Sequence, residues 1–120
     1  PIHVSDTADL HTSAMSIYGK HFQYDQVINL MRKIRRFRQF GASALELSYV
    51  GAGKIDGFVD LRQTLRATDA AAGVLILEEA GGVVTDRDGK CLLLPDDLNI
   101  GNCLVGTNKQ LHGKVIEYLR

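Results

Sequence analysis

A chain of 120 residues is long enough for one domain with one hydrophobic core. Fourteen basic side chains balance fourteen acidic ones, so the net charge is zero and leaves no footprint for nucleic acid or an anionic membrane. The longest apolar stretch is far short of a bilayer span and no signal-peptide pattern is visible, so a cytoplasmic globular segment is expected.

In chain order, Ile2-His3-Val4 reads as a short strand before the polar turn Ser5-Asp6-Thr7. Ala14 to Tyr18 alternates like a strand and ends at Gly19. From Phe22 to Ile34 the spacing is helical, with Val27, Leu30, Met31 and Ile34 at i, i+3, i+4, i+7. Arg35 to Gln39 reads as a strand, Phe37 facing away from its arginine neighbours. A second helix runs from Ser43 to Ala52 and stops at Gly53. Ile55 to Val59 is a strand bearing Phe58, and Asp60 to Ala67 a polar loop. Asp69 opens a helix through Ala80 that is apolar on nearly every side, so its burial between other elements is expected; Gly81-Gly82 stops it. Val83-Val84-Thr85, the turn Asp86 to Gly89, and Lys90 to Leu94 read as a hairpin. Pro95 to Gly101 is a loop, Cys103 to Gly106 a strand, and Asn108 caps a last helix from Gln110 to Leu119. Strands alternating with helices argue for a layered α/β domain. Cys91 and Cys103 lack CxxC spacing and read as two buried thiols rather than a disulfide.

Two helix starts carry the candidate chemistry. At Asp69 a carboxylate meets helix-start N–H groups, which suits a phosphate–metal centre. The same pattern suits a plain cap, since Thr68 or Asp69 can satisfy orphan N–H groups. At Gly41-Ala42-Ser43 a glycine lets backbone approach a ligand, and N–H groups with the Ser43 hydroxyl can face phosphate or sugar oxygens. The alternative is a simple strand-to-helix turn with Ser43 as N-cap. Asp60 ends a strand, either as a ligand group or as a solvated carboxylate. Arg62 and Arg66 lie in the loop before Asp69; a guanidinium forks onto phosphate, and an exposed arginine is the alternative. Arg32, Lys33, Arg35, Arg36 and Arg38 form a basic run of the kind that solvates a helix end and strand face. Within it, Arg38 is nearest the Gly41 turn and can reach a phosphate there. His3, His11, His21 and His112 are scattered and are not assigned to a metal.

Three runs together resemble the inositol monophosphatase family: Gly41-Ala42-Ser43-Ala44-Leu45-Glu46-Leu47, Val50 through Asp60, and Thr68-Asp69 through Gly82. The likeness is greatest to the archaeal type, which acts on inositol monophosphate and fructose 1,6-bisphosphate. It is strong from about Phe37 to Asp88 and loose elsewhere. The resemblance implies a mixed sheet of about five strands flanked by helices, set beside an N-terminal α+β half in the full enzyme, and a homodimer. It implies that Asp69 matches a metal-binding aspartate, with Thr68 where animal members carry tryptophan. It implies that Gly41, Ala42 and Ser43 lie near substrate. Asp60 matches a glutamate that hydrogen-bonds substrate hydroxyls, one methylene shorter here. Arg62 or Arg66 would hold the second phosphate of a bisphosphate. The cofactor implied is Mg²⁺, which polarises the phosphate ester and lowers the pKa of an attacking water.

The family's other metal ligands stand in a Glu-Glu pair and an Asp-Pro-x-Asp-Gly-Thr motif, and neither is present. Pro1 and Pro95 do not follow an aspartate, and Asp56-Gly57 and Asp88-Gly89 precede Phe58 and Lys90. The chain, starting at Pro1, is therefore expected to be the C-terminal half of a longer phosphatase and inactive alone. An NADP(H) or adenosine bisphosphate phosphatase of the same fold, and a non-catalytic α/β binding module, are the other readings.

Overall fold

The computed structural model describes residues 2–19, 25–92 and 102–119. Five strands form one mixed sheet: β1 (Ala14–Tyr18), β2 (Arg36–Arg38), β3 (Gly57–Leu65), β4 (Val83–Thr85) and β5 (Asn102–Thr107), in the order β2-β1-β3-β5-β4. β1 runs parallel to both β2 and β3, while β5 runs antiparallel to β3 and β4. The helices are α1 (Asp25–Lys33), α2 (Ser43–Gly51), α3 (Ala67–Glu79) and α4 (Lys109–Leu119). The expected α/β layering with about five strands is what the chain adopts.

Alternation along the strands sends side chains to two separate cores. Met15 and Ile17 of β1, Val59 and Leu61 of β3 and Val105 of β5 meet Val27, Leu30 and Ile34 from the α1 segment, and Leu111, Val115 and Ile116 of α4. The i, i+3, i+4, i+7 stripe read from the sequence is the buried side of α1, with Met31 packed against it. Phe58 and Leu104 point the other way, onto Leu47 and Val50 of α2 and Ala70 and Leu77 of α3. Each such fully buried side chain contributes about 1.5–3 kcal/mol.

α2 and α3 approach closely because Gly73 has no side chain. A Cβ there would sit 2.8 Å from Leu47 Cβ and 3.3 Å from Ala44 Cα. Gly73→Ala is expected to lower the urea midpoint at unchanged m. Overpacking costs about 1–3 kcal/mol, against a helix-propensity gain of about 1 kcal/mol. A raised midpoint would show that the helices are less tightly apposed.

Several expectations need correction. Ile2 to Val4 forms no strand; the segment is laced down instead, by Val4 N–H to the Ala80 carbonyl, Ser5 Oγ to Asp56 and Asn108 Nδ2 to the Ser5 and Thr7 carbonyls. Asp60 to Leu65 is strand, not loop, because Leu61 and Leu65 are core residues and the Asp60 charge is neutralised in place. α3 begins at Ala67, two positions before Asp69, and is buried on one side only: Leu75 is 60% exposed and Ile76 36%. Cys91 is exposed and Cys103 half-buried, so they are not the two buried thiols expected. Of Lys90 to Leu94, Cys91 makes an isolated bridge to Thr85, while Leu93, Leu94 and the Pro95 to Gly101 loop lie outside the described residues, as do Phe22 to Tyr24. Asn108 caps α4 as expected, its Oδ1 accepting from Leu111 N–H at 2.9 Å. His112 is held between the Thr85 and Thr107 hydroxyls, and burial lowers its pKa, so it is neutral at pH 7. No helix among the described residues is long and apolar enough to cross a membrane.

Candidate functional site

Parallel pairing places the C-terminal end of β1 beside the middle of β3, with Tyr18 opposite Asp60. The two helices on that face run in the same direction: Gly73 lies beside Ala44 and Leu47, and Gly51 beside Ile76 and Leu77. Their N-termini therefore share one end of the domain, at the carboxyl ends of the parallel strands, where open α/β sheets bind ligands.

The entry to α2 turns at Gly41, which has φ 83°. Its N–H is not free for a ligand, contrary to expectation. It donates to Glu46 Oε1 at 2.9 Å and to the Tyr18 hydroxyl at 3.1 Å, and Phe40 N–H reaches the same Glu46 oxygen at 2.8 Å. Ala42, not Ser43, is the N-cap, and having no polar side chain it leaves the first turn uncapped. Ser43 is the first helical residue and half-buried. The donors that remain at this helix start are thus the first-turn N–H groups of α2 and the Ser43 hydroxyl.

Asp60 is not a solvated strand end. It has no exposed surface, and Arg62, two residues on and on the same side of β3, covers it. Arg62 Nε donates to Oδ1 at 3.0 Å and Nη2 to Oδ2 at 2.8 Å, while the Arg62 main-chain N–H adds a third bond. The guanidinium also lies 4.2 Å over the Tyr18 ring centroid. Its hydrogen bonds to Asp60 raise its pKa further. Burial, then the hydrogen bond to Glu46, raises the Tyr18 pKa, so the phenol remains a proton donor.

Asp69 is exposed in the first turn of α3. Its Oδ2 accepts from Arg66 N–H at 3.1 Å and its own N–H reaches the Arg66 carbonyl at 2.9 Å, so it does act as a cap. Oδ1 carries no hydrogen bond among the described residues. Arg66, at the N-cap of α3, is exposed and enters no ion pair among them. No group of three or more His, Cys, Asp or Glu among the described residues could hold a metal, so Asp69 belongs to no complete ligand cluster among them.

Arg38 is set apart. It lines a groove of about 570 Å³ between β2 and α2, with Arg36, Lys54, Phe40, Tyr49 and Ile55, and no hydrogen bond ties it to the Gly41 turn. Sequence reasoning missed Glu46 and Tyr18. The signal available was an acid four residues before Val50, inside the apolar stripe of α2.

The sequence pattern of the inositol monophosphatase family matches residues 2–120. A bifunctional NADP phosphatase/NAD kinase of Methanococcus maripaludis is 35% identical over 96% of this chain and 20% of its own length. A fructose-1,6-bisphosphatase/inositol-1-monophosphatase of Archaeoglobus fulgidus is 37% identical over 99% of this chain and 45% of its own. A Pyrococcus horikoshii protein described as having similarities to inositol-1 monophosphatase superposes with a TM-score of 0.82 at 35% identity, over 98% of this chain and 44% of its own. The chain spans less than half the length of each.

Proposed function

The chain belongs to the inositol monophosphatase family, a phosphatase family, and from that we propose that it is the substrate-side half of a Mg²⁺-dependent phosphomonoesterase. Its substrates in this reading are inositol 1-phosphate and fructose 1,6-bisphosphate, and it works in the cytoplasm as a homodimer. The observation that carries the reading is the shared end of α2 and α3. One helix start there is uncapped and the other bears Asp69 with an open carboxylate oxygen, beside the Asp60–Arg62 fork.

The donor chemistry suits Mg²⁺, which takes carboxylate and water oxygens. Asp69 Oδ1 would supply one ligand, and the remaining carboxylates would come from a half that precedes residue 1. When bound, the ions polarise the ester phosphate and lower the pKa of a water. The first-turn N–H groups of α2 and the Ser43 hydroxyl would hold phosphate oxygens. Arg62, oriented by Asp60, would face the substrate hydroxyls, so Asp60 acts through its partner. Arg66 would take a second phosphate. The same preceding half would cover the exposed apolar side chains of α2 and α3: Leu45 is 42% exposed, Leu75 60% and Ile76 36%.

A second reading is an NADP phosphatase, favoured by the Methanococcus maripaludis relative. The test is phosphate release by the protein carrying its preceding half, from inositol 1-phosphate, fructose 1,6-bisphosphate and NADP. Release from either of the first two supports the main reading, and release from NADP alone supports the second. No release from any ester leaves a non-catalytic binding module. The present chain by itself is expected to release no phosphate with Mg²⁺ added; robust release would mean that the ligand set is complete within it.

A further inference from the structure

We propose that Glu46 is a positioning residue that holds the two sides of the candidate site in register, an inference that rests on the phosphatase reading of that site. Four donors converge on this fully buried carboxylate: Phe40 N–H, Gly41 N–H and the Tyr18 hydroxyl on Oε1, and the Ser16 hydroxyl on Oε2. None of them is a cation, and no ion pair among the described residues includes Glu46. Burying a carboxylate on neutral hydrogen-bond donors, with the Arg62 charge acting on it only through space, forfeits its hydration. An apolar residue in the α2 stripe, as at Leu47 and Val50, would avoid that cost. What the carboxylate supplies instead is geometry.

Two consecutive N–H groups aimed at one oxygen oblige the chain to turn at Phe40–Gly41, and Gly41 takes the positive φ that this requires. With those N–H groups directed inward, the free N–H groups that face outward are those of the α2 first turn. The Tyr18 hydroxyl is tied to the same Glu46 oxygen, which sets the tilt of its ring. Arg62 stacks on that ring and forks onto Asp60. One buried side chain thus links the turn facing the phosphate to the stack facing the rest of the substrate.

The variants separate the arms. Glu46→Gln keeps an acceptor for three of the four donors, and its amide can donate to Ser16 Oγ. Tyr18→Phe removes the hydroxyl that ties the ring to Glu46, together with the second acceptor of Gly41 N–H, and leaves Glu46 to hold the turn. In the protein carrying its preceding half, Tyr18→Phe is expected to raise KM for inositol 1-phosphate about three- to tenfold with kcat little changed, the size of one lost hydrogen bond. Arg62→Ala is expected to cost less in the Tyr18→Phe background than in the wild type, because the two act in series. Glu46→Ala is expected to raise KM at least about tenfold, with Glu46→Gln recovering most of that loss. Where Glu46→Ala does not fold, Glu46→Gln and the Tyr18–Arg62 cycle carry the test. Strict additivity of Tyr18 and Arg62, or a wild-type KM in Glu46→Ala, overturns the proposal. If the wild type hydrolyses none of the esters, the phosphatase reading fails, and ¹⁵N NMR of the present chain decides the linkage separately. Tyr18→Phe should move the Arg62 Nε–H signal; an unmoved signal overturns the linkage.

Discussion

Asp69→Asn in the enzyme carrying its preceding half is expected to cut turnover by at least about two decades and leave the fold intact. The structure explains both parts. Asn retains an acceptor oxygen for Arg66 N–H and its own N–H still reaches the Arg66 carbonyl, so the reciprocal cap of α3 survives. The charge that a hard cation needs is gone from the oxygen that Asp69 leaves open to such an ion. The measurements are kcat, the Mg²⁺ concentration for half-activity, and a thermal melt. Near-normal kcat with unchanged Mg²⁺ dependence would reduce Asp69 to the cap that the geometry already shows it to be.

Arg66→Ala is expected to raise KM for fructose 1,6-bisphosphate about tenfold to hundredfold more than for inositol 1-phosphate, the effect of one lost charge-assisted hydrogen bond of roughly 1.5–3 kcal/mol. Read as loop residues, Arg62 and Arg66 were equivalent candidates for this role. The fold separates them. Arg62 is engaged with Asp60, whereas Arg66 is exposed and in no ion pair among the described residues. Arg62→Ala should instead weaken both substrates alike and destabilise the chain. It leaves a carboxylate of zero exposure with only a main-chain N–H. The full cost of orphaning a buried charge is about 3–5 kcal/mol. Arg62 is 38% exposed and so partly screened, and roughly 1–3 kcal/mol is expected. Equal loss for both substrates in Arg66→Ala would assign that arginine to the fold or to the shared phosphate.

Local patterns were legible wherever neighbours in sequence decide the outcome. The Val27–Ile34 stripe, the alternation of Ala14 to Tyr18, the Asn108 cap and the glycine stop after α3 all stand as read. So does the family, because Gly41 to Leu47 and Thr68 to Gly82 are contiguous motifs. What the sequence could not reveal depends on partners far along the chain. Asp60 reads as a strand end because it is charged, yet Arg62 beneath the same sheet face and the Tyr18 ring from β1 make it tolerable inside β3. Glu46 falls within the apolar stripe of α2, but nothing near it in sequence shows what holds its charge until Ser16, Tyr18, Phe40 and Gly41 are folded around it. Ile2 to Val4 has strand composition, but Val4 N–H goes to the Ala80 carbonyl, and Asn108 ties down Ser5 and Thr7 just after it. Periodicity is a property of one element and survives in a bare sequence. The burial of a charge depends on distant groups arriving with matching donors, and only the tertiary structure brings those together.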